Sequence, residues 1–213
     1  MQRTHWNATL SQEPDMFGAE PSEPASEAAA LFERAGQKTV LELGAGPGRD
    51  TLCFARRGFS VTALDYAQAA VDTIVRKARA ERLDGHITAL SHDVRTRLPF
   101  EDEMFDCCYS HMLFCMAFTP AELDRLAAEV CRVLKPGGHH VYTVRHTGDP
   151  HYGKGVHRGE HMYEFGGFIV HFFDRAEVSR LAAGYDILDI HEFEEGLLPR
   201  KLFRVTLRKV IRS

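Results

Sequence analysis

Two hydrophobic periods alternate along this chain. Short apolar runs bounded by glycine, proline or charge read as strands, and stretches with apolar side chains every three or four positions read as helices. Thr39 to Leu43 is the first short run, and a glycine-rich turn follows it. Arg49 to Arg57 reads as a helix ended by Gly58, and Phe59 to Leu64 as a strand ending at Asp65. Ala67 to Arg82 places Val71, Ile74, Val75 and Ala78 on one helical face. Ile87 to Leu90 and Met104 to Ser110 are further strands, with Asp93 just past the first of them. Thr119-Pro120-Ala121-Glu122 carries a cap, a first-turn proline and a capping-box glutamate, which predicts a helix to Leu134. Lys135-Pro136-Gly137-Gly138 stops that helix, and His139 to Arg145 is the next strand. Asp174 to Glu177 offers a second capping box, opening a helix to Ala183, and strands at Ile187–Phe193 and Leu202–Lys209 close the chain.

Strand and helix alternating five times predict an α/β fold. The expected architecture is a Rossmann-like, doubly wound sheet of about seven strands, mostly parallel with an antiparallel last strand, and with helices on both faces. Residues 1–22 carry few apolar side chains and read as a loosely ordered arm, a candidate lid. Residues 23–213 read as one domain, opening with an alanine-rich helix over Glu23 to Ala35 and holding a long cap loop at 146–173. Ligands of such sheets bind beyond the carboxyl ends of the strands, so the residues just after each strand are where chemistry is expected.

Composition narrows the function. The 213 residues suit a single domain, and 44% hydrophobic with 26% charged residues is ordinary for a globular protein. Net charge is −4, and the overall balance shows no basic stripe for nucleic acid. Arg56-Arg57, Arg76 to Arg82 and Arg200 to Arg212 are read as solvated helix faces and a strand edge. No apolar run reaches the length of a membrane span, and the first twenty residues lack the apolar core of a secretion signal. Five cysteines without a C-x-x-C pair point to reduced thiols in the cytoplasm. A small-molecule partner, no membrane partner and a monomer or homodimer are the expectations.

The first post-strand turn reads Glu42-Leu43-Gly44-Ala45-Gly46-Pro47-Gly48. Glycine permits positive φ and a close ligand approach, although tight strand–helix packing alone would also select it. Asp65 follows Gly44 by 21 residues, where a carboxylate can accept from both hydroxyls of an adenosine ribose. Capping the next helix is its plain structural role, and the two are compatible. A dinucleotide site would place its third glycine where Arg49 stands, so a nicotinamide-dependent oxidoreductase is the weaker alternative.

Val40 to Gly48 resembles motif I of the class I S-adenosylmethionine (SAM)-dependent methyltransferases. Asp65 matches that family's ribose ligand. Asp93 and Val94, in Ser91-His92-Asp93-Val94, match its adenine contacts. Phe105-Asp106 before Tyr109-Ser110-His111, and Leu134 to Gly138, resemble the elements around its fourth and fifth strands. The resemblance spans about Thr39 to Arg145. It implies SAM as cofactor, held by Glu42, Gly44, Ala45, Gly46, Gly48, Arg49, Asp65, Tyr66, Asp93, Val94 and Ser110. A narrower resemblance, on Gly48 to Leu52 and Glu194 to Arg200, is to the tellurite-resistance and thiol methyltransferases, and it implies a thiol, sulfide or other chalcogen acceptor.

Methyl transfer can draw about 7–11 kcal/mol from orientation alone. An acceptor that must lose a proton gains a further factor of about 10² to 10⁴ from a base. His146, just past the fifth strand, is the leading base candidate and His111 the second. Trp6 and Phe17 in the arm, with His151, Tyr152, His157 and Tyr163 in the cap loop, are the candidate acceptor contacts. The histidine spacings match no zinc signature, so no metal is expected. An O- or N-methyltransferase using a histidine base, and a SAM-binding protein without turnover, are the further alternatives.

Overall fold

The computed structural model describes residues 6, 9, 12, 18–196 and 200–211. Helix α1 (Glu23–Arg34) starts at Ser22, whose hydroxyl caps Ala25 N–H at 3.2 Å. Then follow β1 (Thr39–Leu43), α2 (Arg49–Arg56), β2 (Ser60–Asp65), α3 (Gln68–Ala80), β3 (Ile87–Ser91) and β4 (Phe105–His111). Next come α4 (Pro120–Val133) and β5 (Leu134–Arg145). The strands β6 (Val156–His157), β7 (Met162–Phe165) and β8 (Phe168–His171) form a small unit of their own. Helix α5 (Arg175–Leu181), β9 (Tyr185–Glu195) and β10 (Arg200–Lys209) complete the chain.

The main sheet has seven strands in the order β3-β2-β1-β4-β5-β10-β9. The first five are parallel, and β10 pairs antiparallel with both β5 and β9. That is the expected sheet. The five parallel strands therefore end on one edge, and the order reverses between β1 and β4, where a ligand crevice is expected. Among the described residues no helix is long and apolar enough to cross a membrane.

Strand alternation divides the core. Val40, Cys107, Tyr109 and Val141 face Ala25, Ala29, Phe32, Phe54 and Phe59 on one side. Leu41, Leu43, Cys108, Tyr142 and Val144 face Leu123, Leu126, Val130 and Val133 of α4 on the other. Phe32, Phe54 and Phe59 pack as a triad with ring centroids 6.0–6.3 Å apart, each burial contributing about 1.5–3 kcal/mol.

Three local expectations change. The Lys135 to Gly138 segment does not lie ahead of the fifth strand but inside it, because Leu134 already pairs with Phe105 and a register shift absorbs the irregularity. The capping box of α4 forms in both directions, whereas at α5 only Asp174 caps Glu177 N–H. The Glu177 side chain turns instead towards His171 and Arg180, at 3.3 and 3.1 Å. The expected cap loop holds a three-stranded antiparallel sheet, in which Gly166 and Gly167, both at positive φ, join β7 to β8. In the arm, Trp6, Thr9 and Gln12 are helical.

His140 in β5 is buried against Phe114, Tyr142 and Tyr185, and its Nε2 has no partner among the described residues. Burial pulls its pKa down to about 3 from the ordinary 6.5. The stability that goes with keeping this ring neutral is complete above pH 6.5 and is lost as pH falls towards 3. His140→Leu is therefore expected to flatten the acid limb of a Tm-against-pH curve over that window. An unchanged limb would show that His140 does not titrate as described.

Candidate active site

Beyond the carboxyl ends of β1, β2, β4 and β5 the chain encloses a cavity of about 520 Å³. Small-molecule sites run from about 300 to 1,000 Å³. Its floor is the turn after β1, with Glu42, Gly44, Ala45, Gly46, Pro47 and Arg49 on the wall. Gly44 has φ +68, and a Cβ there would stand 3.0 Å from Leu113 Cδ1, so the turn excludes side chains from within. Gly48 lies behind this wall. It begins α2 at φ +86, and a Cβ would meet Ile74 Cγ1 at 2.6 Å.

Asp65 ties β2 to this turn. Its Oδ2 accepts from Gly46 N–H at 2.9 Å and its Oδ1 from Ala67 N–H at 2.8 Å. A carboxylate offers about four lone-pair positions, so capacity remains for ligand hydroxyls. Burial pushes its pKa up, and the N–H groups of Ala67, Gly46 and Tyr66 oppose that rise. Glu42 is fully enclosed, and its Oε2 accepts from the Thr51 hydroxyl at 2.5 Å. Burial, then the nearby Asp50 charge, raises its pKa well above the carboxylate range. A cationic ligand group at this wall would favour the ionised form. The donor set thus fits SAM: a glycine cradle, a carboxylate for hydroxyls and an acidic wall for an ammonium group.

Opposite the turn, His111 at the end of β4 and Glu195 at the end of β9 meet at 3.3 Å, from Nε2 to Oε1. Thr143 Oγ1 accepts from Met112 N–H at 2.9 Å and lies 2.9 Å from His111 Nδ1. With its oxygen already accepting, the Thr143 hydroxyl is free to donate to Nδ1, which directs an Nε2–H at Glu195. Burial works against the Glu195 charge. The hydrogen bond from His111, with the charges of Arg49 and Arg200, outweighs it and holds the carboxyl below its usual range. Asp50, Arg145 and Arg200 also reach the cavity, and the rest of its walls are mainly apolar, from Trp6, Met112, Leu113, Met116, Phe165, Phe168, Ile169 and Val170.

The expected site residues divide accordingly. Glu42, Gly44, Ala45, Gly46, Arg49, Asp65, Tyr66, His111 and Trp6 line the cavity. Trp6, like Tyr66, packs against Ala67 and Ala70, and it meets Phe168 at 4.9 Å. Ser110 and His146 do not line it. Along β4, Ser110 shares the face of Cys108 and not that of His111. At the end of β5, His146 leaves the chain opposite to Arg145 and stacks on Phe203 at 4.4 Å. Val94 is packed in the core, and Asp93 closes its own turn by accepting from Arg95 N–H at 3.1 Å.

His151, Tyr152, His157 and Tyr163 also lie off the wall. His151 stacks behind Phe165, Tyr152 bonds His161 at 2.8 Å, and His157 bonds Glu160 O at 2.8 Å. Tyr163 packs edge-on against Tyr152. Phe17 lies outside the described residues. Sequence reasoning missed Glu195, Arg145 and the Phe165–Val170 wall. A hairpin signal at Gly166-Gly167 between two aromatic runs could have found the last of these.

Two binding measurements follow. Asp65→Ala should weaken S-adenosylhomocysteine binding at least about tenfold in calorimetry, as loss of hydrogen bonds to a charged group does. Unchanged affinity would contradict the placement of the ribose. SAM binding should release protons, so that its enthalpy varies with the buffer's ionisation enthalpy, and Glu42→Gln should abolish the variation. A buffer-independent enthalpy in the wild type would contradict the Glu42 assignment.

Comparison with known proteins agrees with this fold and with SAM as the cofactor. Residues 40–138 match the family model of a methyltransferase domain. Phosphoethanolamine N-methyltransferase 1 of Triticum aestivum is 36% identical over 118 residues, covering 53% of this chain and 22% of that protein. Demethylmenaquinone methyltransferase of Tropheryma whipplei (strain Twist) is 33% identical over 99 residues, covering 46% of this chain and 38% of that one. The chain therefore matches only about a fifth to two-fifths of these relatives' length. The crystal structure of Burkholderia thailandensis 1,6-didemethyltoxoflavin-N1-methyltransferase, with 1,6-didemethyltoxoflavin and S-adenosylhomocysteine bound, superposes with a TM-score of 0.77 at 20% identity, over 99% of this chain and 88% of that one. The matched segment, residues 40–138, is therefore a methyltransferase domain of the class I SAM-dependent kind, within a chain that has the same fold as the solved SAM-dependent enzyme.

Proposed function

We propose that this protein methylates the oxygen or nitrogen of a small molecule that gives up a proton in the reaction. The observation behind this reading is a single cavity shared by the glycine turn, Asp65 and the His111–Glu195 pair. Bound SAM supplies a methyl group activated on a sulfonium centre. Gly44, Ala45 and Gly46 would form its cradle and Asp65 would hold its ribose. The acceptor occupies the opposite half, where Met112, Met116, Phe168 and Ile169 exclude water.

The pair orients the acceptor through its O–H or N–H and takes up that proton. The freed electron pair on oxygen or nitrogen is the nucleophile. Thr143 can serve both protonation states of His111, since its hydroxyl can donate to Nδ1 or accept from it. Because the proton belongs to two coupled groups, it is assigned to the pair and not to one atom. Trp6, in the 1–22 arm, and the β7–β8 hairpin, in the 146–173 cap, form the sides of the acceptor half. A thiolate or chalcogenide, the acceptor implied by the narrower sequence resemblance, arrives without a proton and leaves the pair without a task.

The test is release of S-adenosylhomocysteine across phenols, amines and thiols, for wild type, His111→Asn and Glu195→Gln. With the phenol or amine that turns over, each variant is expected to lose about 10²-fold or more in kcat, within the range of general-base effects. The acid-side fall of the wild-type pH profile, where the pair is already protonated, should flatten in both. Full activity of both variants with a phenol or amine, or turnover of thiols alone, would contradict the proposal.

A further inference from the structure

One charged group on the acceptor side has incomplete bonding. Arg145, the last residue of β5, is 4% exposed and lines the cavity. Its Nε donates to Asp149 Oδ2 at 3.0 Å and its Nη2 to Asp149 Oδ1 at 2.6 Å. Nη2 also lies 2.7 Å from His151 Nδ1. The guanidinium carbon sits 5.6 Å from the Phe165 ring and 5.1 Å from that of Phe172. Asp149 is held in turn by the N–H groups of His151 and Lys201, at 2.8 and 2.9 Å. The guanidinium is thus fixed on every side but one. Among the described residues nothing accepts from Nη1.

We propose that Arg145 determines acceptor specificity, donating from Nη1 to a neutral oxo or carbonyl oxygen on a flat ring whose methylated atom reaches His111. This deepens the proposed function and rests on it. Three observations select that chemistry. Asp149 already balances the guanidinium charge, so a neutral oxygen is accommodated, whereas an anion would face the Asp149 carboxylate in a site of low dielectric. Trp6, Phe165 and Phe168 line the cavity with aromatic side chains that a flat ring can pack against. Thr143, which bonds His111, lies two residues before Arg145 on the same strand face, about 7 Å along the strand. One or two fused rings span that distance. Hydrogen bonding to an oxo group conjugated with the reacting atom also drains electron density from its O–H or N–H, which eases proton loss to the His111–Glu195 pair.

The experiment is calorimetry on the full chain saturated with S-adenosylhomocysteine, using quinoline, 4-quinolone and quinoline-4-carboxylate as probes. The quinolone is expected to bind about tenfold more tightly than quinoline, the value of one hydrogen bond from a charged donor. The carboxylate should bind no more tightly than quinoline. Arg145→Lys keeps a cation beside Asp149 but removes the second donor edge. It should abolish the quinolone preference and leave the affinities for quinoline and S-adenosylhomocysteine unchanged. Equal binding of quinolone and quinoline to the wild type, no measurable quinolone binding, tightest binding of the carboxylate, or a preference that survives Arg145→Lys would each overturn the proposal. Failure of the wild type to bind S-adenosylhomocysteine would overturn the underlying methyltransferase reading, and this assignment with it.

Discussion

Asp65 holds the two halves of the Rossmann-like crossover in register. It closes β2 with a carboxylate that accepts from Gly46 in the turn after β1 and from Ala67 at the start of α3. A buried carboxylate is costly without partners, and here backbone N–H groups supply them. The same bonds set the shape of the glycine turn, since Gly46 cannot move without releasing Asp65. Gly44 and Gly48 complete the constraint, one against Leu113 and the other against Ile74. The turn is therefore a well-braced wall, and it shapes the half of the cavity proposed for the cofactor.

The acceptor half is assembled differently. Its parts come from β4, β5, β9, the β7–β8 hairpin and the arm, which are distant in sequence. Two ion-pair systems join them. His111, Glu195 and Thr143 link β4, β9 and β5, while Arg145, Asp149 and the Lys201 N–H link β5 to the start of β10. In the proposed reading the first system handles the acceptor's proton and the second handles its oxygen. Two different bond-making groups on one strand face would specify both the position and the orientation of a flat acceptor.

The parallel sheet was legible because the strands alternate with helices whose ends carry local signals, such as Thr119 with Glu122. The cavity wall proposed for the cofactor was legible because it is mostly one contiguous turn and one post-strand aspartate. The acceptor side was harder for two physical reasons. At a strand end, adjacent residues point to opposite faces, so a shift of one position separates Ser110 from His111 and His146 from Arg145. A motif locates the strand end but carries no information on the face. Glu195 reaches the cavity only because the β9–β10 pair docks on β5 through a long-range pairing that no local pattern encodes, whereas Phe168 sits in a hairpin whose Gly166-Gly167 turn is a local signal. The density of histidines in 146–173 marked the right segment but the wrong side chains, because the hairpin turns Phe165, Phe168 and Ile169 to the cavity and leaves His151 and His157 behind them.

In the proposed reading, the turn after β1 and Asp65 form the cofactor half of a cavity whose other half is closed by His111 and Glu195. A crystal structure of the protein grown with S-adenosylhomocysteine tests it most directly. The ribose hydroxyls are expected within hydrogen-bond reach of Asp65 and the sulfur facing the His111–Glu195 side. Density for the ligand elsewhere, or a ribose away from Asp65, would contradict it.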